Sequence, residues 1–175
     1  NLIMRHVRDA RDRTRFATFN AVCNNPGEGN TCACMLNHHP LMTPQDFWLV
    51  EDRDTDQIVS TICLIPWLGR FSGIELRIAQ LEMVLTHPEY RSRGLVRAQV
   101  QQFIRDVKAL DYDLSIIWGI PYYYRQYGYA YALDCNAAEA LSASQIPASP
   151  YQGNNCQLRP AVEADIPDLT RLYIQ

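Results

Sequence analysis

The chain has 175 residues, which is enough for one complete domain and too few for two. Its residues are 47% apolar and 20% charged, a composition that is typical of an ordinary soluble domain and excludes disordered and collagen-like chains. The net charge of −3 argues against broad electrostatic binding of nucleic acid, which requires a strongly basic surface.

Cysteine usage and hydropathy bear on the compartment. The six cysteines are scattered through a chain too long to need disulfide staples, and no cleavable apolar leader precedes them. The longest nearly apolar stretch, residues 58–68, is shorter than the roughly 20 residues that a membrane span requires. We therefore expect reduced thiols, a cytoplasmic location and no membrane contact. The chain begins with Asn1, which is consistent with a fragment of a longer protein.

The first part of the sequence predicts a strand, a helix, a loop and a hairpin. Residues 2–6 form a short apolar run typical of a strand, and residues 8–23 have apolar side chains three and four positions apart, as in an amphipathic helix. Residues 24–44 are rich in turn formers and residues 31–44 lack a period, so we expect a loop, with or without a short helix, over the acceptor site. Residues 46–51 and 57–68 are predicted as two strands joined by a charged turn.

Residues 74–86 are predicted as one irregular strand. Their apolar side chains are at even positions as far as Ile78 and at odd positions from Leu81, so the alternation slips near Ala79 and Gln80. Because side chains alternate with period two along a strand, this slip indicates a β-bulge or a change of strand partner. A bulged central strand would diverge from its neighbour.

The next segments predict a crossover and a short aromatic helix. A helix is expected from Gly94 to about Leu110, and a strand covered on both faces over residues 114–120. Residues 122–127 are predicted as a short helix that ends at Gly128, with another strand over 129–141.

Composition divides the chain into three parts. Residues 1–141 are predicted as one α/β domain, and residues 142–155 have the Ser, Pro, Gly and Asn content of a linker. Residues 156–175 repeat the opening plan of a strand and an amphipathic helix, so they are predicted as the start of a second, truncated domain.

The hexapeptide that runs from Arg91 to Val96 lies between a predicted strand and a predicted helix. Its backbone N–H groups and the helix N-terminus form an anion site, to which Arg91 and Arg93 add charge. A phosphate group is the predicted ligand. The hexapeptide alone leaves open a solvated basic turn in which Gly94 serves only the bend.

Residues 81–99 (LEMVLTHPEYRSRGLVRAQ) resemble the acetyl-CoA-binding motif of the GNAT N-acetyltransferase superfamily, whose fingerprint is Gln/Arg-x-x-Gly-x-Gly/Ala after a bulged strand. Arg91 and Gly94 match the fingerprint, whereas Val96 replaces the usual Gly or Ala and would crowd the helix start. Residues 93–98 and the aromatic residues 124–129 are similar to the enhanced-intracellular-survival branch, whose tandem-domain layout the C-terminal segment also fits.

The resemblance implies a mixed, bulged central sheet flanked by helices in an acetyl-CoA-dependent N-acetyltransferase. The acetyl group would move directly to a primary amine of a small molecule or peptide. The pantetheine arm would bind the diverging strand like an extra strand, at Val84, Leu85 and Thr86. The predicted pyrophosphate contacts are the backbone and side chains of the turn and helix start, namely Arg91, Ser92, Arg93, Gly94, Leu95, Val96 and Arg97.

Two catalytic side chains are expected. Tyr124 matches the family position from which a tyrosine protonates the departing thiolate, and a phenol with a pKa near 10 stays protonated at neutral pH. Glu82 is the candidate that takes or relays the amine proton, although an ion pair with Arg77 or Arg125 is an equal alternative. In the enhanced-intracellular-survival branch the base is instead a C-terminal carboxylate from a later domain.

Other functions are weaker alternatives. Zinc is not predicted, because the segment with Cys32, Cys34, His38 and His39 lacks a Cys-x-x-Cys knuckle, and adjacent histidines do not readily reach one metal. The remaining tyrosines of the aromatic segment are expected to pack. A non-catalytic GNAT-like module that binds CoA or a partner within a larger tandem protein is the second hypothesis. The sequence is also compatible with a homo-oligomer.

Overall fold

Five strands and three helices build the first of two units into which the chain divides, residues 1–131 and 132–175. The computed structural model describes residues 1–132, 144 and 159–174. The strands and helices are β1 (Leu2–His6), α1 (Ala10–Cys23), α2 (Pro26–His38), β2 (Phe47–Asp52), β3 (Gln57–Phe71), β4 (Ile74–Thr86), α3 (Leu95–Ala109), β5 (Leu114–Ile116) and, in the second unit, α4 (Ile166–Ile174).

The sheet is mixed and has helices on both faces. Its strand order is β1-β2-β3-β4-β5, with antiparallel pairs except for the parallel pair of β4 and β5. Alternation along β2 sends Phe47 and Leu49 into a core cluster with α1 and α2, and Trp48 into a second cluster with α3. The predicted mixed α/β class is therefore confirmed.

The segment 24–44, predicted as a loop with or without a short helix, is mostly helical, because α2 takes 13 of its residues. Asn25 caps this helix by accepting a hydrogen bond from the Glu28 N–H at 3.1 Å, and Pro26 takes the first helical position. Gly29 lets α2 approach α1 closely, since a Cβ there would lie 2.4 Å from the Cβ of Ala21. The turn formers of the sequence are the start of a helix.

The apparent slip at Ala79 and Gln80 is not a bulge, because the pairing of β3 with β4 continues unbroken through both residues. The slip marks a change in the face that carries the apolar side chains. Toward the hairpin tip, apolar residues share the face of β3 and β4 that we name the arm face, formed by Trp67, Phe71, Ile74, Leu76 and Ile78. Further along β4, Leu81 packs on the opposite face, in the α3 cluster.

The β-bulge lies at Met83, three residues beyond Gln80. Thr61 pairs with Leu85 whereas Cys63 pairs with Glu82, so β4 has one residue more than β3 between these pairs. Met83 takes up the difference with a φ of +56°, a conformation that L-residues rarely adopt. A bulged central strand was thus predicted correctly, and its position was not.

The strand predicted over residues 114–120 is also too long. β5 ends at Ile116, and Trp118 and Ile120 are exposed instead of covered on both faces. The helix expected after it is one short 3₁₀ segment, Tyr123–Tyr127, which ends at Gly128 as predicted. Of the strand predicted over residues 129–141, the described part, 129–132, has no regular structure.

The second unit, where the structure describes it, contains α4 preceded by a 3₁₀ turn, Glu163–Asp165. Asp165 accepts a hydrogen bond from the Val162 N–H at 2.9 Å and pairs with Arg159. The C-terminal helix is therefore confirmed. The predicted linker lies outside the described residues apart from Ser144, and the domain boundaries stay a prediction.

Candidate functional site

The edge of β4 that faces β5 is open beyond Gln80. β5 pairs with β4 only over Ile78–Gln80, and no other described strand pairs with this edge from Leu81 to Thr86. Val84, Leu85 and Thr86 lie on this segment, half-buried. Backbone N–H and C=O groups at such an edge are available to an extended ligand that contains amides.

Polar side chains of β3 form hydrogen bonds to the backbone of β4 at the bulge. Thr61 donates to the Met83 carbonyl at 2.9 Å, and the Ser60 hydroxyl lies 2.8 Å from the Leu85 carbonyl and 2.6 Å from the fully buried side-chain amide of Gln99. The Ser60 hydroxyl also lies 3.0 Å from the hydroxyl of Thr86, so it links the open end of β4 to Gln99 of α3. No role was predicted for Ser60, Thr61 or Gln99 from the sequence, although polar residues inside an apolar strand were a visible signal.

The turn after β4 leads into a helix N-terminus that no side chain caps. Gly94 is the N-cap residue with a φ of +76°, and a Cβ there would meet nothing within 4 Å. Ser92 also has a positive φ, +61°, so the backbone turns sharply just before α3. The first N–H groups of a helix that lacks a capping side chain are suited to an anion.

Three exposed arginines surround this helix start, and none of them has an ion-pair partner in the described part of the chain. Arg93 rests on the preceding turn, where it donates to the Glu89 carbonyl at 3.1 Å and covers the ring of Tyr90. Arg91 acts electrostatically on the thiol of Cys23 at the end of α1, and Arg97 on the hydroxyl of Tyr127. Unpaired guanidinium groups at a helix N-terminus favour phosphate groups.

The side chain of Val96 occupies the core side of this helix start. It packs against the cluster that includes Val100 and Tyr124, and Leu95 beside it is half-buried. The bulk that replaces the usual Gly or Ala is therefore accommodated in the core.

Tyr124 is buried in the same cluster, with ring contacts to Tyr123, Tyr127 and Tyr129. Gly119 makes room for it, since a Cβ at that position would lie 2.5 Å from the Tyr124 ring. Burial raises the pKa of Tyr124, and the Glu82 carboxylate adds to the rise. The two predicted catalytic residues are thus close enough to interact electrostatically.

Glu82 is half-buried next to the bulge and forms no ion pair among the described residues. The alternative that it pairs with Arg77 or Arg125 is not found: Arg77 covers Tyr112, and Arg125 covers Tyr122 and Tyr131. Its Oε1 instead accepts a hydrogen bond from the Gln80 amide at 2.7 Å. Burial raises the pKa of Glu82, which this hydrogen bond partly opposes.

The described residues form no cluster of three or more His, Cys, Asp or Glu side chains that could hold a metal ion. Cys32 is buried against the sulfur of Met83, whereas Cys34 is exposed. Nor is any helix in the described ranges long and apolar enough to cross a bilayer.

The family of this chain follows from its similarity to known sequences and solved structures. The sequence matches the acetyltransferase (GNAT) domain over residues 14–132, and no curated protein matches it. A GNAT family acetyltransferase from Brucella melitensis, solved with acetyl-CoA, has a TM-score of 0.61 at 16% identity and covers 82% of this chain and 97% of its own. An acetyltransferase from Trypanosoma brucei has a TM-score of 0.60 at 16% identity, covering 81% and 100%.

Eis1 from Mycobacterium abscessus has a TM-score of 0.57 at 14% identity, covering 74% of this chain and only 31% of its own. These structural likenesses agree with the mixed sheet and its flanking helices. The family match includes α1, the bulge at Met83, the turn over residues 91–94 and the 3₁₀ segment Tyr123–Tyr127, and it covers more than half of the chain. The chain therefore belongs to the GNAT acetyltransferase domain family.

Proposed function

We propose that the protein transfers an acetyl group from acetyl-CoA to a primary amine of a small molecule or peptide. The observation that carries this proposal is the meeting of three features: an open strand edge, an uncapped helix N-terminus and three unpaired arginines. The acetyl-CoA complex of the Brucella relative supports the choice of cosubstrate.

These features fit the parts of acetyl-CoA one by one. The amide groups of the pantetheine arm would pair with the backbone of Val84, Leu85 and Thr86. The pyrophosphate would bind at the helix start, to the N–H groups of Leu95, Val96 and Arg97 and the backbone of Ser92 and Gly94. The side chains of Arg91, Arg93 and Arg97 would add charge, with Arg93 leaving its place on Tyr90.

Two side chains of this protein transfer protons during the reaction: Glu82 accepts one and Tyr124 donates one. When bound, acetyl-CoA supplies the thioester whose C–S bond breaks as the amine nitrogen bonds to the carbonyl carbon. Glu82, as the carboxylate, accepts the proton that the amine loses, directly or through one water. Tyr124, kept protonated by its raised pKa, donates its hydroxyl proton to the departing sulfur. The products are an acetamide and neutral CoA thiol.

We also propose that the domain belongs to the enhanced-intracellular-survival branch, with a domain over residues 1–141, a linker over 142–155 and a second domain that begins at 156. The similarity of residues 93–98 and 124–129 to that branch and the fold of Eis1 support this placement. In that branch a carboxylate of a later domain is the base. The two assignments of the base are separated by measuring the kcat of Glu82→Gln in this chain and in a longer chain that contains the later domain. A low kcat in both chains supports Glu82 as the base.

Calorimetric titration with acetyl-CoA tests the proposal. We expect micromolar affinity, about −8 kcal/mol, and at least a tenfold loss in Arg93→Ala. Arg105→Ala is the matched control, because Arg105 is an exposed arginine on α3, the helix that follows Arg93, and its guanidinium donates to Gln102. No binding, or binding that both variants retain, would contradict the site. Tight binding without turnover on any amine would favour the non-catalytic module.

A further inference from the structure

A row of three polar side chains leads to Glu82 along one face of the β3–β4 hairpin. The Trp67 indole N–H donates to Oε1 of Gln80 at 2.6 Å, and Nε2 of Gln80 donates to Oε1 of Glu82 at 2.7 Å. Trp67 pairs across the strands with Ile78, so its side chain shares the face on which Gln80 and Glu82 follow at two-residue steps.

The chemistry of Trp67 fixes the direction of this row. An indole nitrogen can only donate, so the amide oxygen of Gln80 faces Trp67 and the NH₂ group faces Glu82. If the Gln80 amide were reversed, its NH₂ group would face the indole N–H of Trp67, and its oxygen would face the carboxylate oxygen of Glu82. Two hydrogen-bond donors therefore act on the Glu82 carboxylate, namely the side-chain amide of Gln80 and the backbone N–H of Met83 at the bulge.

We propose that Gln80, held by Trp67, is a positioning residue that fixes the orientation of the Glu82 carboxylate for the proton transfer. The proposal rests on the proposed function, in which Glu82 accepts the amine proton. Gln80 itself touches no reacting atom. Its effect on the reaction passes entirely through the orientation and ionisation of Glu82.

Among the described residues, no cationic side chain forms an ion pair with this carboxylate. The titratable groups that face or act on Glu82 are Glu28 from α2, Cys63 across the strand pair and Tyr124 from the aromatic helix. Burial and, to a smaller extent, the Glu28 carboxylate raise the pKa of Glu82, whereas the hydrogen bonds from Gln80 and from the Met83 backbone lower it. Loss of the Gln80 hydrogen bond therefore disfavours the ionised form that accepts a proton.

Gln80→Met in the full chain tests the proposal, because methionine keeps the length of the side chain and removes the donor. We expect a higher Glu82 pKa in a carboxyl-carbon NMR titration of the ligand-free protein. The acid limb of kcat/KM should move to higher pH by the same amount, with a loss of roughly fivefold on that limb. Trp67→Phe should move both in the same direction by less, since Gln80 then keeps its amide without its anchor.

The controls separate this proposal from the proposed function. Gln101→Met, on the exposed side of α3, should change neither the Glu82 pKa nor the acid limb, and all variants should keep their acetyl-CoA affinity. An unchanged Glu82 pKa in folded Gln80→Met and Trp67→Phe would overturn the positioning role, whatever the activity. A shifted pKa with an unshifted acid limb would overturn Glu82 as the base and the positioning role with it.

Discussion

Tyr124 combines two properties that a proton donor needs, namely a closed environment and a hydroxyl without a hydrogen-bond partner in the described residues. Removing only that hydroxyl in Tyr124→Phe should lower kcat by about 10²- to 10³-fold. The affinity for acetyl-CoA should change less than about twofold, because the ring that fills the cluster remains.

Tyr112→Phe is the control for this experiment, since Tyr112 lies under Arg77 and outside the aromatic segment. Steady-state kinetics and calorimetry on the two variants give the comparison. Equal kcat values for both would show that Tyr124 only packs.

Glu82 should destabilise the folded protein at neutral pH. Its pKa is raised by burial, so the folded state binds a proton more tightly than the unfolded state does, and the ionised form costs stability. We expect Glu82→Gln to raise the free energy of unfolding at neutral pH. The gain should shrink as the pH falls through the folded pKa and vanish below the ordinary glutamate pKa.

Denaturant unfolding of wild type and Glu82→Gln across this pH range measures the difference. Glutamine at position 82 still offers an oxygen to the Gln80 amide, so the hydrogen bond is retained. A variant that is less stable at neutral pH would show that the carboxylate is better solvated than its burial implies.

At the scale of elements, two glycines of α2 have opposite roles. Gly29→Ala should lower the free energy of unfolding by about 1 to 3 kcal/mol, because its Cβ would overlap that of Ala21. Gly27→Ala brings a Cβ to 3.0 Å from the capping oxygen of Asn25, a contact relieved by a shift of a few tenths of an ångström, so its gain in helix propensity, at most about 1 kcal/mol, should offset most of the strain. Urea denaturation of both variants measures this difference, and equal losses would mean that α1 and α2 can move apart.

The elements that the sequence predicted well have one strong local signal. The apolar spacing that predicts α3 places Val100, Phe103 and Val107 in the core as expected. The start of α2 was visible too, because Asn25, Pro26 and Glu28 form an N-cap, a first position and a first turn. Gly27 and Gly29 made this helix hard to predict, because glycine is unfavourable inside a helix. The reason for Gly29 is its contact with α1, which only the structure shows.

The candidate site was predictable to the same extent. The turn from Arg91 to Gly94 is a local pattern, and the structure places it at the predicted helix start. The bulge at Met83 and the bond from Trp67 to Gln80 depend on the register between β3 and β4, which alternation in one strand does not determine. Contacts between strands therefore required the structure.

For the whole molecule, acetyl-CoA should act as a stabiliser. A ligand that binds only the folded state at about 100 times its Kd adds about 2.7 kcal/mol to the free energy of unfolding. For a chain of 175 residues this corresponds to a rise in Tm of roughly 5 to 10 °C. Differential scanning fluorimetry measures the shift, which Arg93→Ala should abolish and Arg105→Ala should keep. An equal shift in both variants would place the ligand elsewhere.

The arm face gives the molecule an internal optical reporter. Trp67 is 42% exposed where this face meets Gln80, while Trp48 is 3% and Trp118 is 67% exposed. In a Trp118→Phe background, the emission therefore comes from one buried indole that stays constant and one that responds to its surroundings. Any molecule that covers the arm face would shift the Trp67 emission to shorter wavelength. The fluorescence spectrum therefore reports whether this face is occupied, without an added label.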